Sequence, residues 1–416
     1  MKFLQRYPPL AILLGAWSFP LLLSVVATPA LEDSISVYTY LIIAACIVAA
    51  AAGILLSPGG ETSRSLPFKD GIVLKLGVAG ALAGLLHWKL RGDSGMSLEE
   101  TRIAHLAGQL GASVFESYLY QAGGACSFFS IALATMSARP IRVTALALGL
   151  SILGWIGLVI NTGARVVVMA MLAVAIVGLV IRFPRIVISW RGVASAIAGF
   201  IPLFAINLLF VQRRMETLFA NSDWGLHRAE KASSLLGGAG SSLLANDYLV
   251  SAVWLLLQFT SDPIYYLDYF LKYSSVSPHF GLYQFGLIAN RIPGFDWYGR
   301  RLELDLLYEG IGISWNVWGT AIRDCIVDFG LVGAVTFFFV VGYSAGRLRH
   351  ARSVSGQLLY IFVVLWLMYT PFHSPLTTRP LQLAILITIG WYLWTVFFGE
   401  GRGSLTVQPL KSAKVK

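Results

Sequence analysis

Residues 37–56 read VYTYLIIAACIVAAAAGILL, a stretch without a single charged side chain. A helix of about 20 residues crosses the roughly 30 Å hydrocarbon core of a bilayer. Similar apolar stretches recur along the 416-residue chain, of which 56% is hydrophobic and only 12% is charged. The pattern predicts an all-α fold, a polytopic membrane helical bundle of about ten transmembrane helices. The predicted spans are 10–27, 37–56, 71–88, 121–138, 141–160, 164–181, 192–211, 317–343, 357–371 and 380–398.

The spans divide the chain into four parts, which are residues 1–211, 212–316, 317–398 and 399–416. The first part holds seven spans, and the capping-box pattern Ser97-Leu98-Glu99-Glu100 predicts an interfacial helix near 97–119. The second part is one large loop with short membrane-lying helices. The third part holds the last three spans, and the fourth is a basic tail. Ten spans place both termini on one side, and the Lys and Arg content of the short loops favours the cytoplasm for that side.

Composition excludes several classes of function. The net charge of +10 sits mostly in short loops and in the tail, where it fits membrane topology and anionic lipid, so we expect no nucleic-acid partner. Three widely spaced cysteines indicate neither a disulfide framework nor a metal site. No Walker A loop, HExxH motif or CxxC pair occurs in the sequence. We therefore expect no metal and no cofactor, and a substrate that is already activated in the membrane.

Arginines near the outer ends of the spans are the candidate binding residues. Arg165, Arg323 and Arg379 each fall near an outer helix start, where a cation opposes the helix macrodipole. A bound anion favours this placement, because backbone N–H groups and a guanidinium then point at it together. Guanidinium also matches phosphate oxygens bidentately. The arginines assigned to diphosphate binding are Arg165, Arg291, Arg300, Arg301, Arg323 and Arg379. Lipid snorkelling and surface ion pairing are the alternatives.

Polar residues of the eighth span predict a lined cavity. With 3.6 residues per turn, one face of that span collects Asn316, Thr320, Arg323 and Gly330. Asp324 and Asp328 are candidate salt-bridge partners that orient Arg323, and a purely structural pair is the alternative. An aromatic stripe in the large loop could stack on sugar rings or anchor the chain at the membrane interface. The residues assigned to orientation or sugar binding are Asn316, Thr320, Asp328, Tyr265 and Tyr269.

Two short segments resemble the bacterial O-antigen polymerases, also called oligosaccharide repeat unit polymerases. Thr162-Gly163-Ala164-Arg165 is similar to a Thr-Gly-Ser-Arg-like turn that is common in that family, with alanine in place of serine. The second segment is Asp328-Phe329-Gly330-Leu331-Val332-Gly333. The layout, with one large outer loop before the last three spans, also looks like that family, and the related O-antigen ligases share it.

The resemblance implies a metal-independent, inverting glycosyltransferase of the GT-C membrane class in the bacterial inner membrane. A growing glycan would pass from undecaprenyl diphosphate to the non-reducing end of a lipid-linked oligosaccharide repeat unit at the periplasmic face. A chain-length regulator protein is a candidate partner. The candidates for the base that takes the acceptor proton are Glu303, Asp305, Glu309 and His373. The alternatives are an O-antigen ligase and a transporter of lipid-linked sugars or polysaccharide, although the sequence lacks the two related halves typical of transporters.

Overall fold

The computed structural model describes residues 6–27, 35–58, 68–91, 114–162, 166–183, 262–274, 279–289, 292–293, 307, 320–372, 374, 376 and 378–398. Within these residues the fold is all-helical, and the β pairing is limited to an isolated bridge between Phe68 and Ser137. The helices are α1 (Pro8–Ala27), α2 (Val37–Leu56), α3 (Asp70–Arg91), α4 (Val114–Thr135), α5 (Pro140–Thr162), α6 (Val166–Arg182), α7 (Asp262–Tyr273), α8 (Gly286–Ala289), α9 (Ala321–Leu348), α10 (Val354–Tyr369) and α11 (Arg379–Phe398).

Six of these helices are long and apolar enough to cross a membrane, namely α1, α2, α3, α5, α9 and α11. Helices α6 and α10 are apolar but shorter. The all-helical fold expected from the sequence is thus confirmed for the described residues, and its six long apolar helices are consistent with a membrane protein. Nine of the ten predicted spans overlap a described helix in sequence, although only six of these helices are long and apolar enough to cross a membrane. The span at 192–211 lies outside the described residues.

Two helix starts differ from the sequence prediction. Helix α4 begins at Val114, so residues 114–119 continue into the fourth span instead of ending a separate interfacial helix. The remainder of the predicted interfacial helix lies outside the described residues. Helix α9 begins at Ala321 because the Thr320 side chain accepts a hydrogen bond of 3.2 Å from the backbone N–H of Arg323. A threonine in this position caps the first turn and fixes where the helix starts.

Helices α2 and α9 run in the same direction and pack through glycines. A β-carbon on Gly53 would overlap the backbone of Phe339, and one on Gly342 would overlap the backbone of Ala50. Small residues let helix backbones approach closely, and packing of this kind holds membrane helices together where hydrophobicity alone does not. The pairing therefore defines two ends of the bundle, an upper end at the start of α2 and α9 and a lower end where both finish.

The other helices follow the same two ends. The N–H of Ala321 donates to the Thr370 carbonyl at 3.0 Å, so α10 finishes where α9 starts. Arg182 at the end of α6 donates to the Ser137 carbonyl at 3.4 Å, at the lower end. Helix α7 is fixed at the upper end, because Asp268 accepts hydrogen bonds from Ser36 and from other groups at the start of α2. The C-terminal end of α6 and the short helix α7 therefore lie at opposite ends of the bundle.

Basic side chains are distributed unevenly between the two ends. The described ones at the lower end are Arg6, Lys69, Lys75, Arg139, Arg142, Arg182, Arg347, Arg349 and Arg352. Those at the upper end are Lys89, Lys272, Arg323 and Arg379. Helical membrane proteins place the excess of Lys and Arg on the cytoplasmic side of their short loops. The asymmetry has the sign expected if the lower end faces the cytoplasm.

Helix α9 is interrupted at Gly330, where φ is 70° and ψ is 178°. Only glycine adopts this conformation without steric strain. Above the break, the carbonyls of Val327 and Asp328 accept hydrogen bonds from the backbone N–H groups of His279 and Phe280. The chain segment 279–289 thus satisfies carbonyls next to the break. The prediction that Thr320, Arg323 and Gly330 share one face of a continuous helix is wrong, because Thr320 precedes the helix and Gly330 breaks it.

Candidate functional site

A buried ion pair lies at the upper end of α9. The Nε and Nη2 groups of Arg323 donate hydrogen bonds of 3.2 and 2.9 Å to one carboxylate oxygen of Asp324. Arg323 is 6% exposed and Asp324 is 1% exposed. Burying two charges away from water costs several kcal/mol per ion. Ionisable side chains within membrane segments are functional-site candidates for that reason.

The second carboxylate oxygen of Asp324 holds the chain that links α10 to α11. It accepts the backbone N–H of Ser374 at 3.1 Å. The Ser374 hydroxyl donates to the side-chain oxygen of Gln284 at 2.6 Å and accepts from the Trp366 indole at 3.3 Å. All four side chains are buried. Buried polar groups are expensive unless hydrogen-bonded, so each of these contacts stabilises the others.

Gln284 connects this network to α11. Its backbone carbonyl accepts a hydrogen bond of 2.9 Å from the side chain of Gln382, whose oxygen accepts the N–H of Leu287 at 3.1 Å. The Gln284 side chain also donates to the Cys325 sulfur at 3.6 Å. Three chain segments that are distant in sequence therefore meet here: 279–289, the start of α9, and the start of α11. We call this set of contacts the upper network.

Asp328 anchors the segment 279–289 through two backbone hydrogen bonds. Its two carboxylate oxygens accept the backbone N–H groups of Tyr283 at 2.9 Å and of Gln284 at 3.2 Å. The side chain is fully buried. Its neighbour Val327 packs against Tyr266, Phe270 and Tyr283. The salt bridge to Arg323 is formed by Asp324, so the predicted orienting role belongs to Asp324 in this structure.

Of the remaining predicted site residues, four are described by the structure and the others lie outside the described residues. Arg379 is half-buried and opens α11 at the upper end, whereas Thr320 is fully buried and caps α9. Tyr265 and Tyr269 are half-buried on α7, and the Tyr269 ring lies 4.6 Å from that of Tyr273. The predicted residues outside the described ones are Arg165, Arg291, Arg300, Arg301, Glu303, Asp305, Glu309, Asn316 and His373.

Sequence reasoning missed Gln284, Ser374 and Gln382. Gln382 carries a usable signal, because a glutamine four residues inside an apolar span needs a partner. Ser374 directly follows His373, one of the predicted candidates for the base. Gln284 lies among glycines and aromatic residues whose spacing predicts neither a helix nor a strand, so the direction of its side chain could not be predicted. Within the described part of the chain, no group of three or more His, Cys, Asp and Glu side chains is arranged to hold a metal ion.

The fold and the network define a helical bundle of membrane-spanning type with a buried, charged polar cluster at one end. Comparison with protein-family models, with curated proteins and with solved structures finds no match for this chain.

Proposed function

We propose that the protein is a glycosyltransferase that polymerises lipid-linked oligosaccharide repeat units, using undecaprenyl diphosphate as the leaving group. The single observation that carries the proposal is the buried guanidinium of Arg323 in the first turn of α9. The helix dipole disfavours a cation there by about 0.3–1 kcal/mol, and burial adds a larger penalty. The ion pair with Asp324 offsets part of this penalty, and a diphosphate bound at this end would offset more of it.

Arg379 supports the same assignment. It opens α11, and the hairpin between α10 and α11 is held to Asp324 through the N–H of Ser374. Both arginines therefore belong to the same end of the bundle, and a short chain segment joins their helices. Two guanidinium groups there would stabilise the charge that develops on a departing diphosphate. The sequence resemblance to O-antigen polymerases names the sugar chemistry, and its second motif includes Asp328 and Gly330, the residues at the helix break.

In this scheme the upper end faces the periplasm, and the donor and acceptor lipids approach it from the membrane. The charge asymmetry between the ends supports that orientation. The proton of the acceptor hydroxyl needs a base, and Glu303, Asp305, Glu309 and His373 remain the candidates. Holding both lipid-linked substrates in register is the other contribution expected of the protein.

A second candidate function is transport of the lipid-linked sugar. The interruption of α9 at Gly330 favours it, because transporters place binding sites at broken helices whose free backbone groups contact the substrate. Against it, the carbonyls of Val327 and Asp328 already accept N–H groups from segment 279–289. The enzyme remains the better-supported proposal.

The deciding experiment replaces the chromosomal gene in the native host with Arg323→Ala, Arg323→Lys and the control Arg142→Ala. Arg142 is an exposed arginine at the lower end. If the protein is a polymerase, Arg323→Ala should leave only single repeat units on the acceptor. Chains of more than one unit should be absent from the gel, while the amount of protein stays normal. Arg323→Lys should restore little, because lysine lacks the bidentate fork. Long chains that accumulate on lipid carrier would indicate a ligase instead.

Two further outcomes separate the remaining alternatives. Accumulation of single lipid-linked units on the cytoplasmic leaflet in Arg323→Ala would indicate a transporter. A normal chain-length ladder in Arg323→Ala would overturn the site assignment itself. Arg142→Ala should retain the wild-type ladder in either case.

A further inference from the structure

A second cluster of charged and aromatic side chains lies at the lower end of the bundle, away from the upper network. Arg349, directly after α9, donates a hydrogen bond of 2.8 Å to the backbone carbonyl of Arg6. Its guanidinium also lies 4.9 Å from the centre of the Tyr7 ring, and that of Arg6 lies 5.8 Å from the same centre. The Arg349 side chain further contacts the His350 ring nitrogen at 3.1 Å. We call Arg6, Tyr7, Arg349 and His350 the lower cluster.

Two positive charges share one aromatic ring in the lower cluster. Each can gain from the ring quadrupole, but the two guanidinium groups repel each other. The ion pairs of Asp268 and Asp324 both lie at the upper end. The described acidic residue of the lower end is Asp70, which lies on α3. An anion bound between the two guanidinium groups would relieve the repulsion.

A buried hydroxyl gives a second, independent indication. Tyr360 on α10 is 4% exposed, and its hydroxyl has no hydrogen-bond partner. It lies within electrostatic range of Arg349. A buried polar atom without a partner costs about 1–3 kcal/mol, so this hydroxyl is a donor to which a ligand could supply an acceptor. A phosphate oxygen is an acceptor that both groups can share.

The location selects a lipid as the source of that phosphate. Arg6 stands just before α1, whose Leu14 and Phe19 side chains are exposed on the surface that faces the hydrocarbon in a membrane. The lower cluster thus lies at the level where apolar helix surface gives way to polar ends. Basic pockets between membrane helices on the cytoplasmic side bind the head groups of anionic lipids.

We infer that the lower cluster, together with Tyr360, is a binding site for the phosphate of an anionic phospholipid. The two guanidinium groups bind the phosphodiester oxygens, and the Tyr360 hydroxyl donates a hydrogen bond to the lipid head group. Acyl chains lie along the exposed side of α1. The lipid joins the start of α1 to the link between α9 and α10. This site is independent of the reaction carried out at the upper end.

The test uses the purified full-length protein in a neutral detergent, with thermal unfolding followed during titration. Phosphatidylglycerol should raise the unfolding temperature in a saturable way, whereas phosphatidylcholine and inorganic phosphate should not. Arg6→Gln and Arg349→Gln should each weaken the apparent phosphatidylglycerol affinity by about five-fold, the effect of one surface arginine on an anionic lipid. The control Arg142→Gln removes an exposed arginine of the same end and should bind as the wild type does.

Tyr360→Phe keeps the test valid if the arginine variants fold poorly. This substitution removes a hydroxyl that has no hydrogen-bond partner among the described residues. The stability of the lipid-free protein should therefore not fall, whereas the affinity for phosphatidylglycerol should. Equal weakening in Arg142→Gln would show a diffuse charge effect and overturn the site. Protection by inorganic phosphate equal to that by phosphatidylglycerol would overturn the lipid as its occupant. Wild-type affinity in both Arg6→Gln and Tyr360→Phe would overturn the proposal altogether.

Discussion

The Ser374 hydroxyl donates a hydrogen bond of 2.6 Å to the side-chain oxygen of Gln284, across 90 positions of sequence. Through this bond, the link between α10 and α11 is joined to the segment 279–289. Both partners are buried, and both belong to larger sets of contacts that lead to Asp324 and Gln382. The upper network consequently holds the link between α10 and α11 and the segment 279–289 against the starts of α9 and α11.

Removing this bond should destabilise the protein. Ser374→Ala leaves the Gln284 oxygen and the Trp366 indole N–H without the partner they have in this structure. We expect a loss of about 1–3 kcal/mol in the free energy of unfolding, measured by denaturant titration in detergent. A double-mutant cycle with Gln284→Ala should give a coupling energy of about 0.5–3 kcal/mol. Additive effects would contradict the contact, and the exposed Ser18→Ala is the control.

Substitution at the break in α9 should be costly. Gly330→Ala places a β-carbon on a residue with φ 70° and ψ 178°, a conformation that costs an L-residue roughly 1–3 kcal/mol. The control Gly149→Ala has open space around the added carbon and lies inside α5, where alanine is the better helix former. Thermal unfolding should therefore show a lower midpoint for the first variant and an unchanged or higher midpoint for the second. Equal stability of the two variants would show that α9 does not need its break.

Acid should loosen the contact between α7 and α2. Burial opposes ionisation of Asp268, but hydrogen bonds from Lys272, Ser36 and Thr39 outweigh it and lower the pKa of Asp268. A lowered pKa stabilises the fold above the unfolded value of about 3.9, and that contribution disappears as pH falls through the folded pKa. Asp268→Asn should flatten the fall in unfolding temperature over this acidic range. A fall as steep as in the wild type would show that another group is responsible.

The orientation of the bundle can be tested by cysteine labelling in whole cells. Tyr273 is 62% exposed at the upper end, and Arg352 is exposed at the lower end. The background needs only Cys126→Ala, because Cys46 and Cys325 are buried. A membrane-impermeant maleimide should label Tyr273→Cys from outside the inner membrane and Arg352→Cys only after lysis. The opposite pattern would place the upper network in the cytoplasm and contradict the proposed function.

The helices could be predicted from sequence because membrane insertion depends on local composition. The apolar stretch at 37–56 coincides with α2 as predicted, since about 20 uncharged residues meet the requirement of the bilayer directly. Arg323 could also be predicted as a candidate site residue, because an arginine within an apolar span stands out. Its ion pair with Asp324 follows from adjacency in the sequence.

The partners of the upper network could not be predicted in the same way. Gln284 and Ser374 meet only because α9, α10 and α11 pack together, and helical periodicity contains no information about such distant pairs. The break at Gly330 was missed for a related reason, since glycine is common within membrane helices that run without interruption. The φ of 70° at Gly330 shows that this glycine has a conformational role, and the carbonyls of Val327 and Asp328 accept hydrogen bonds from His279 and Phe280 next to it.

The interruption at Gly330 divides α9 into two pieces with different neighbours. The lower piece carries Gly342 and the packing seam with α2, while the upper piece carries Arg323 and the bonds to segment 279–289. The helical backbone is interrupted between them at Gly330, so a tilt of the short piece is not transmitted along the axis of the long one. The short upper piece can thus change its tilt while the long lower piece keeps its packing against α2.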